Sequence, residues 1–155
     1  MKSIVVYFTP SEGNTKKLAE MVTRLSSSDE YRIEPVNAYP DEYFACNNRA
    51  KEEYENNARP EIKGPLPMLD AYEVIYLGFP NWYRTYPKVI ATFLEKVDLK
   101  GKIVKPFCTN EEGGFGIAEL QLRNALPNST VKDGFSIKAE NVDGADAALK
   151  DWILK

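Results

Sequence analysis

The spacing of apolar positions alternates between two periods along this chain. Ile4-Val5-Val6-Tyr7-Phe8 is a β-branched and aromatic run of strand length, whereas Leu18, Met21, Val22 and Leu25 recur at i, i+3, i+4 and i+7, one face of a helix. Between them lies the short polar stretch Thr9 to Thr15, with the helix starting at Asn14 or Thr15. Tyr31-Arg32-Ile33-Glu34-Pro35-Val36 alternates loosely around a proline, as a short edge strand would. Asn37 to Asp70 is polar and holds four of the ten prolines. Within it, Asn47 to Asn57 reads as a helix charged through Arg49, Lys51, Glu52, Glu53 and Glu55. A solvated surface helix is its plainer reading and a cover over a ligand the sharper one. Tyr72 to Gly78 is mostly apolar, as a central parallel strand would be. Val89, Ile90, Phe93, Leu94 and Val97 then line a helix face, which Gly101 closes. Lys102 to Thr109 reads as a fourth strand despite Pro106. Ala118, Leu122, Ala125 and Leu126 suggest a short helix stopped by Pro127, and Thr130 to Lys138 a fifth strand. Ala145, Ala148, Leu149, Trp152 and Ile153 form the apolar face of a terminal helix.

Five strand and helix units without internal repeats call for an α/β fold, a parallel sheet covered on both faces by right-handed crossovers. The length of 155 residues suits one domain over residues 1–155. A doubly wound five-stranded sheet of order 2-1-3-4-5 is expected. Ligands of such sheets bind beyond the carboxyl ends of the strands where the order reverses, here strands one, three and four. That singles out three loops: Thr9–Thr15, Pro80–Pro87 and Thr109–Gly116. At the first, unpaired N–H groups and the dipole of the helix that follows attract an anion, and Thr9, Ser11, Asn14 and Thr15 add polar donors around Gly13.

Composition narrows the chemistry. The chain is 43% hydrophobic and 28% charged, with no apolar run near the ~20 residues that a bilayer span needs. Its N-terminal apolar run is too short for a signal peptide, so a cytoplasmic protein is expected. The absence of histidine removes the commonest general base and metal ligand, and with it the Ser/His/Asp and Cys/His arrangements. Cys46 and Cys108 lack any C-x-x-C spacing and read as reduced, structural thiols. A net charge of −3 with interspersed signs argues against a nucleic-acid surface. No Gly-Lys-Ser/Thr follows Gly13, which excludes a nucleoside triphosphatase P-loop. Neither strand one nor strand three ends in the aspartate that a phosphoacceptor receiver domain requires.

Over almost its whole length the chain resembles the flavodoxin-like proteins, in particular the short flavodoxins and flavodoxin-like reductases that bind flavin mononucleotide (FMN). Tyr7-Phe8-Thr9 with Gly13-Asn14-Thr15-Lys16-Lys17-Leu18-Ala19-Glu20 is similar to that family's phosphate loop and first helix. Leu77-Gly78-Phe79-Pro80-Asn81-Trp82-Tyr83 is similar to its second loop, and Pro106-Phe107-Cys108-Thr109-Asn110 leading to Gly113-Gly114-Phe115-Gly116 to its third. Asn47-Asn48-Arg49-Ala50 and Ala58-Arg59-Pro60-Glu61-Ile62 also resemble the short branch. The resemblance implies phosphate contacts from Thr9, Ser11, Gly13, Asn14 and Thr15. It implies ring contacts from Pro80, Asn81, Trp82 and Tyr83, and from Thr109, Asn110, Glu111, Gly113, Gly114 and Phe115, with backbone N–H groups near Glu111 and Gly113 facing the pyrimidine edge.

Departures from the family pattern bear on function. Glu12 is an extra residue in the first loop, and Pro10 removes an N–H donor. A carboxylate at contact distance from a phosphate dianion costs ~1 kcal/mol or more per unit charge in a solvated site, unless it turns outward. Lys16 and Lys17 oppose the helix dipole, a cost that a bound phosphate would offset. Trp82, Tyr83 and Arg84 stand where the short branch often has two tryptophans and a glycine, so Arg84 either crowds the ring or meets an anionic cosubstrate. Asn110 replaces a frequent histidine, and Glu111-Glu112 lengthen the third loop with charge that would disfavour an anionic reduced flavin. The resemblance implies an FMN-binding redox protein, either an electron carrier serving a redox partner protein or a reductase passing a hydride from NAD(P)H to a quinone-like acceptor, as a monomer or homodimer. The alternative, motivated by Glu12 and Arg84, is a flavodoxin-fold interaction protein that no longer binds flavin.

Overall fold

A computed structural model of the protein describes residues 1–111 and 114–155. It contains strands β1 (Ser3–Tyr7), β2 (Asp29–Arg32), β3 (Val74–Pro80), β4 (Ile103–Asn110), β5 (Thr130–Val131) and β6 (Phe135–Lys138). The helices are α1 (Asn14–Ser26), α2 (Tyr43–Glu55), α3 (Lys88–Lys96), α4 (Ala118–Ala125) and α5 (Asp146–Leu154), with a 3-10 turn over Ala139–Gly144. All strand pairs are parallel, in the order β2-β1-β3-β4-β5 with β6 also on β4. This is the doubly wound order expected from the alternation of strands and helices.

Alternate side chains of the central strands enter two separate cores because both sheet faces are covered. Ile4, Val6 and Phe8 with Ile75, Leu77 and Phe79 pack on one face against Val89, Ile90 and Phe93 of α3 and Leu122 of α4. Val5, Tyr7, Val74, Tyr76 and Phe107 pack on the other against Leu18 and Val22 of α1 and Leu149 and Trp152 of α5. Lys105 is the one lysine this second face buries among the described residues, 5% exposed. Its ammonium donates 3.0 Å bonds to the carbonyls of Trp152 and Ile153, so it closes the C-terminal end of α5 where the helix dipole favours a cation.

Three boundaries differ most from the sequence reading, and β3 also runs two residues later at both ends than Tyr72 to Gly78. The fifth strand is not continuous over Thr130 to Lys138: it divides at Lys132–Gly134 into β5 and β6, both on β4. The cause is Gly134, where a Cβ would lie 2.4 Å from the Phe115 ring and 2.6 Å from the Pro106 carbonyl, so the backbone bends around a close approach that no periodicity records. α2 starts at Tyr43 instead of Asn47, because the Glu42 carboxylate caps it by accepting from the N–H groups of Phe44 and Ala45 at 3.0 and 2.7 Å. Glutamate is not among the usual capping residues. β2 is offset to Asp29–Arg32, with Pro35 in an isolated antiparallel bridge to Ile62.

Candidate functional site

β1, β3 and β4 end at one edge of the sheet, and the loops that follow them, together with α2, enclose a cleft of about 740 Å³. Thr9, Ser11, Gly13, Asn14 and Thr15 line one end of it. Gly13 precedes α1 with φ −102° and ψ −149°, no side chain caps the helix, and its first turn holds no acidic residue. The leading N–H groups of α1 therefore have no intrahelical acceptor. Thr9 Oγ1 donates to the Ser11 carbonyl at 2.7 Å and curls the loop. The hydroxyls of Thr15 and Thr109, each 5% exposed, share a 2.6 Å bond that ties this loop to the end of β4.

Glu12 is directed away from this end and is not part of the cleft wall. Its carboxylate lies 2.5 Å from Lys16 Nζ and 2.8 Å from Arg32 Nη1. Hydrogen bonds from Lys16, then Arg32, lower its pKa to about 2. The carboxylate thus neither caps α1 nor faces the polar pocket, and it pairs with the first-turn cation Lys16, which also reaches Glu20 at 3.4 Å.

The second loop is a two-residue hairpin. Trp82 and Thr85 exchange backbone hydrogen bonds of 3.0 and 3.1 Å, and Tyr83 and Arg84 between them have φ of 53° and 65°. Both central residues of such a turn need positive φ, which is why Asn-Gly is common there, and the left-handed region costs a non-glycine residue about 1–2 kcal/mol. Two contacts hold the strained pair. The Tyr83 ring stacks on Tyr54 of α2, with centroids 5.2 Å apart and planes at 20°, and its hydroxyl donates to Asn47 Oδ1 at 3.1 Å. The Arg84 carbonyl accepts from Ile117 N–H at 2.7 Å over Gly116, where a Cβ would sit 2.3 Å from that same carbonyl oxygen. Trp82 stands edge-on to Phe8 and Tyr39, with ring centroids 5.6 and 5.3 Å away, and still lines the cleft beside Pro80, Asn81 and Tyr83.

At the third loop Thr109, Asn110 and Glu111 line the cleft. Gly113, like Glu112, lies outside the described residues. Gly114 and Phe115 are not in the wall: Phe115 is 7% exposed and packs edge-on to Phe79 at 6.3 Å, a core position in place of the expected ring contact. Burial pushes the neighbouring Cys108 thiol up to about 12, which leaves it protonated and inert at neutral pH. Apart from Arg84, expected near the ring, and the helix from Asn47, whose sharper reading was a cover over a ligand, the remaining wall was not among the expected site residues. Tyr43, Cys46, Asn47 and Ala50 of α2 face the cleft, as do Pro40, Asp41, Arg84 and Gly116. Asn47 and Ala50 belong to the short segment that carried the family resemblance, which was the available signal for α2 as a wall. Among the described residues no group of three or more Cys, Asp or Glu side chains could hold a metal, and no helix is long and apolar enough to cross a membrane.

An open parallel sheet with an uncapped helix end and an aromatic-bearing loop at its switch point is the layout of a mononucleotide-binding α/β protein. The chain belongs to the flavodoxin family, whose model matches residues 2–155. Among solved structures it is similar to a protein of Bacteroides uniformis provisionally classed as a flavoprotein, with 28% identity, a TM-score of 0.87, and 99% of this chain and 98% of that one covered. A second, from Bacteroides eggerthii and classed in the same way, has 26% identity and a TM-score of 0.80 over 96% of this chain and 97% of that one. A flavoprotein of Lactobacillus acidophilus in complex with FMN shares the fold, with 19% identity and a TM-score of 0.73 over 92% and 97% of the two chains. No curated protein sequence matches the chain.

Proposed function

We propose that the cleft binds FMN and that the protein works as a flavin redox protein, with the phosphate at the α1 end and the ring between the second and third loops. The observation that carries this reading is the uncapped N-terminus of α1, ringed by Thr9, Ser11 and Thr15, opening into the same cleft as Trp82 and Tyr83. The donor set fits the group: N–H groups and hydroxyls suit a phosphate, and the aromatic side chains suit a flat ring. The volume falls within the ~300–1,000 Å³ of small-molecule sites. FMN would supply the one- or two-electron chemistry, and the chain's own residues bind, orient and shield it. Purified protein is expected to be yellow or, as apoprotein, to quench FMN fluorescence on titration, with riboflavin binding far more weakly because it lacks the phosphate. Colourless protein that leaves FMN fluorescence unchanged would favour the interaction-protein reading instead.

Glu12 supplies a second test. Because its carboxylate is engaged by Lys16 and Arg32 outside the cleft wall, Glu12→Gln should leave FMN affinity within about twofold at physiological salt, where exposed charges are screened over ~8 Å. A tenfold gain in affinity would mean that the carboxylate faces the phosphate after all.

Arg84 favours a reductase over a carrier. Its guanidinium is exposed at the cleft, and no described acidic residue forms an ion pair with it, which suits an anionic donor such as NAD(P)H. A quinone-dependent oxidation of NAD(P)H by the FMN-loaded protein, weakened in KM by Arg84→Ala, is the expected result. Loss of kcat alone would argue against that role for Arg84.

A further inference from the structure

Tyr39 belongs to no helix or strand, yet it is buried in the segment between β2 and α2 and meets two other rings at the end of the sheet. Its ring centroid is 5.4 Å from that of Phe8 and 5.3 Å from that of Trp82, and Phe8 and Trp82 are 5.6 Å apart. The three rings therefore pack in pairs, at tilted or edge-on angles that aromatic side chains favour. Phe8 and Tyr39 are absent from the cleft wall, and of the three only Trp82 reaches it. The ring that the cleft presents is thus seated on two that it does not.

α2 fixes the movable part of that seat. Arg49 Nη1 and Nη2 donate to the carbonyls of Ala38 and Asn37 at 2.7 and 2.6 Å, and its guanidinium carbon lies 3.9 Å from the Tyr39 ring centroid. Arg49 Nε donates to Glu53 at 3.2 Å, and the Glu53 carboxylate also accepts from the Tyr39 hydroxyl. One guanidinium thereby holds the chain on either side of Tyr39 and covers its ring face, which takes a planar fork of donors that lysine lacks. Arg49 and Glu53 line a separate depression of about 350 Å³, and neither is in the cleft wall. A partly buried ion pair adds little net stability, because desolvation offsets its attraction. What this pair supplies is a fixed place for Tyr39.

We infer that Arg49 and Glu53 are positioning residues, which act through Tyr39 to hold the Trp82 ring in one orientation before any ligand enters the cleft. Its consequence for the flavin rests on the reading of the cleft as an FMN site: the ring meets a tryptophan already in place and does not have to immobilise one. Removing the clamp should then cost FMN affinity only as long as Trp82 is there to be misplaced.

The test labels the apoprotein with 5-fluorotryptophan and follows its two tryptophans by 19F NMR, with Trp152→Phe assigning the signals. Trp82 should give one narrow resonance in the wild type. Arg49→Lys and Glu53→Leu should split or broaden it, whereas Glu53→Gln, which keeps an acceptor for the phenol, should leave it narrow. The Trp152 resonance, from the opposite sheet face, should stay in place throughout and reports that each variant is folded. If Arg49→Lys does not fold, the two Glu53 variants decide. By fluorescence titration Arg49→Lys or Glu53→Leu should weaken FMN about fivefold, the cost of immobilising one more side chain on binding. In a Trp82→Ala background neither should weaken it further. A Trp82 resonance that ignores Arg49→Lys and Glu53→Leu, or an equal loss of affinity with and without the Trp82 ring, overturns the inference and leaves the FMN site standing. A wild type that shows these resonances but binds no FMN removes the flavin reading and leaves the positioning of Trp82 standing.

Discussion

Gly78→Ala should destabilise the protein by about 3 kcal/mol, at the upper end of what overpacking a core costs. Gly78 lies in the middle of β3, in register with Phe107 on β4. A Cβ there would lie 2.2 and 2.3 Å from two carbons of the Phe107 ring, which is fully buried and stands edge-on to Trp152 at 6.2 Å. The ring occupies the space that a side chain at position 78 would need, and α5 behind it leaves nowhere to retreat. A melting temperature lower by roughly 6–12 °C follows for a chain of this size. Phe107→Leu in the same chain should recover part of the loss, so the double variant is more stable than the two single losses predict by at least ~1 kcal/mol. Additive losses would show that the two positions do not compete for space. Because β3 carries Pro80 and the hairpin that follows, the same substitution should also weaken FMN, while Phe107→Leu restores binding together with stability.

The glycine was legible as a strand-end residue of the second loop; the ring lying over it was not, because spacing along one strand carries no information about its neighbour. The same limit runs through the fold. Apolar runs revealed β1, β3 and β4, and the 3.6-residue period revealed α1, α3 and α5, since each buries a continuous face. What escaped depends on contacts across the sheet. The break between β5 and β6 is set by Gly134 against Phe115, and Phe115 itself, read as a ring contact, is drawn into the core by Phe79. The start of α2 depends on an unusual cap, and the face that walls the cleft is short-ranged and polar, with Ala50 its one buried residue. The three loops were placed by topology alone, because in a doubly wound sheet they must meet. The role of Glu12 could not follow from its place in the loop; it is set by Arg32 on β2, which supplies the second cation that turns the carboxylate outward.

Alkaline pH should unfold the protein in one cooperative step between about pH 11 and 12.5. Burial, reinforced by the Glu30 carboxylate, raises the Tyr7 phenol well above its ordinary value of 10.0, and burial with a hydrogen bond to Glu53 does the same for Tyr39. Burial also raises Tyr31, Tyr76 and Tyr86, and pushes the Cys108 thiol up to about 12. A group raised in the folded state keeps its proton there while the unfolded chain has already lost it. Its stabilising contribution is complete below the ordinary value and declines as pH rises towards the folded value. Tyr7 and Tyr39 each remove about 1.4 kcal/mol of stability per pH unit between pH 10 and their raised folded-state values. Tyr7 and Tyr39 together would consume a typical reserve of ~5–10 kcal/mol within about two to three units, and the other buried tyrosines steepen the fall. Lys105 and Lys88 act in the opposite sense: burial lowers both from 10.5, so their contribution rises with pH up to that value and then stops changing, before the tyrosine losses are complete. Tyrosinate absorbance near 295 nm and far-UV circular dichroism, followed on the same samples, should therefore change together for most of the nine tyrosines. Full tyrosinate absorbance at pH 10 to 10.5 with the helical signal intact would contradict the burial of Tyr7 and Tyr39. Tyr39→Phe separates the phenol from the fold, since it removes one titrating group while keeping the ring against Phe8 and Trp82, and it should move the midpoint upward in pH.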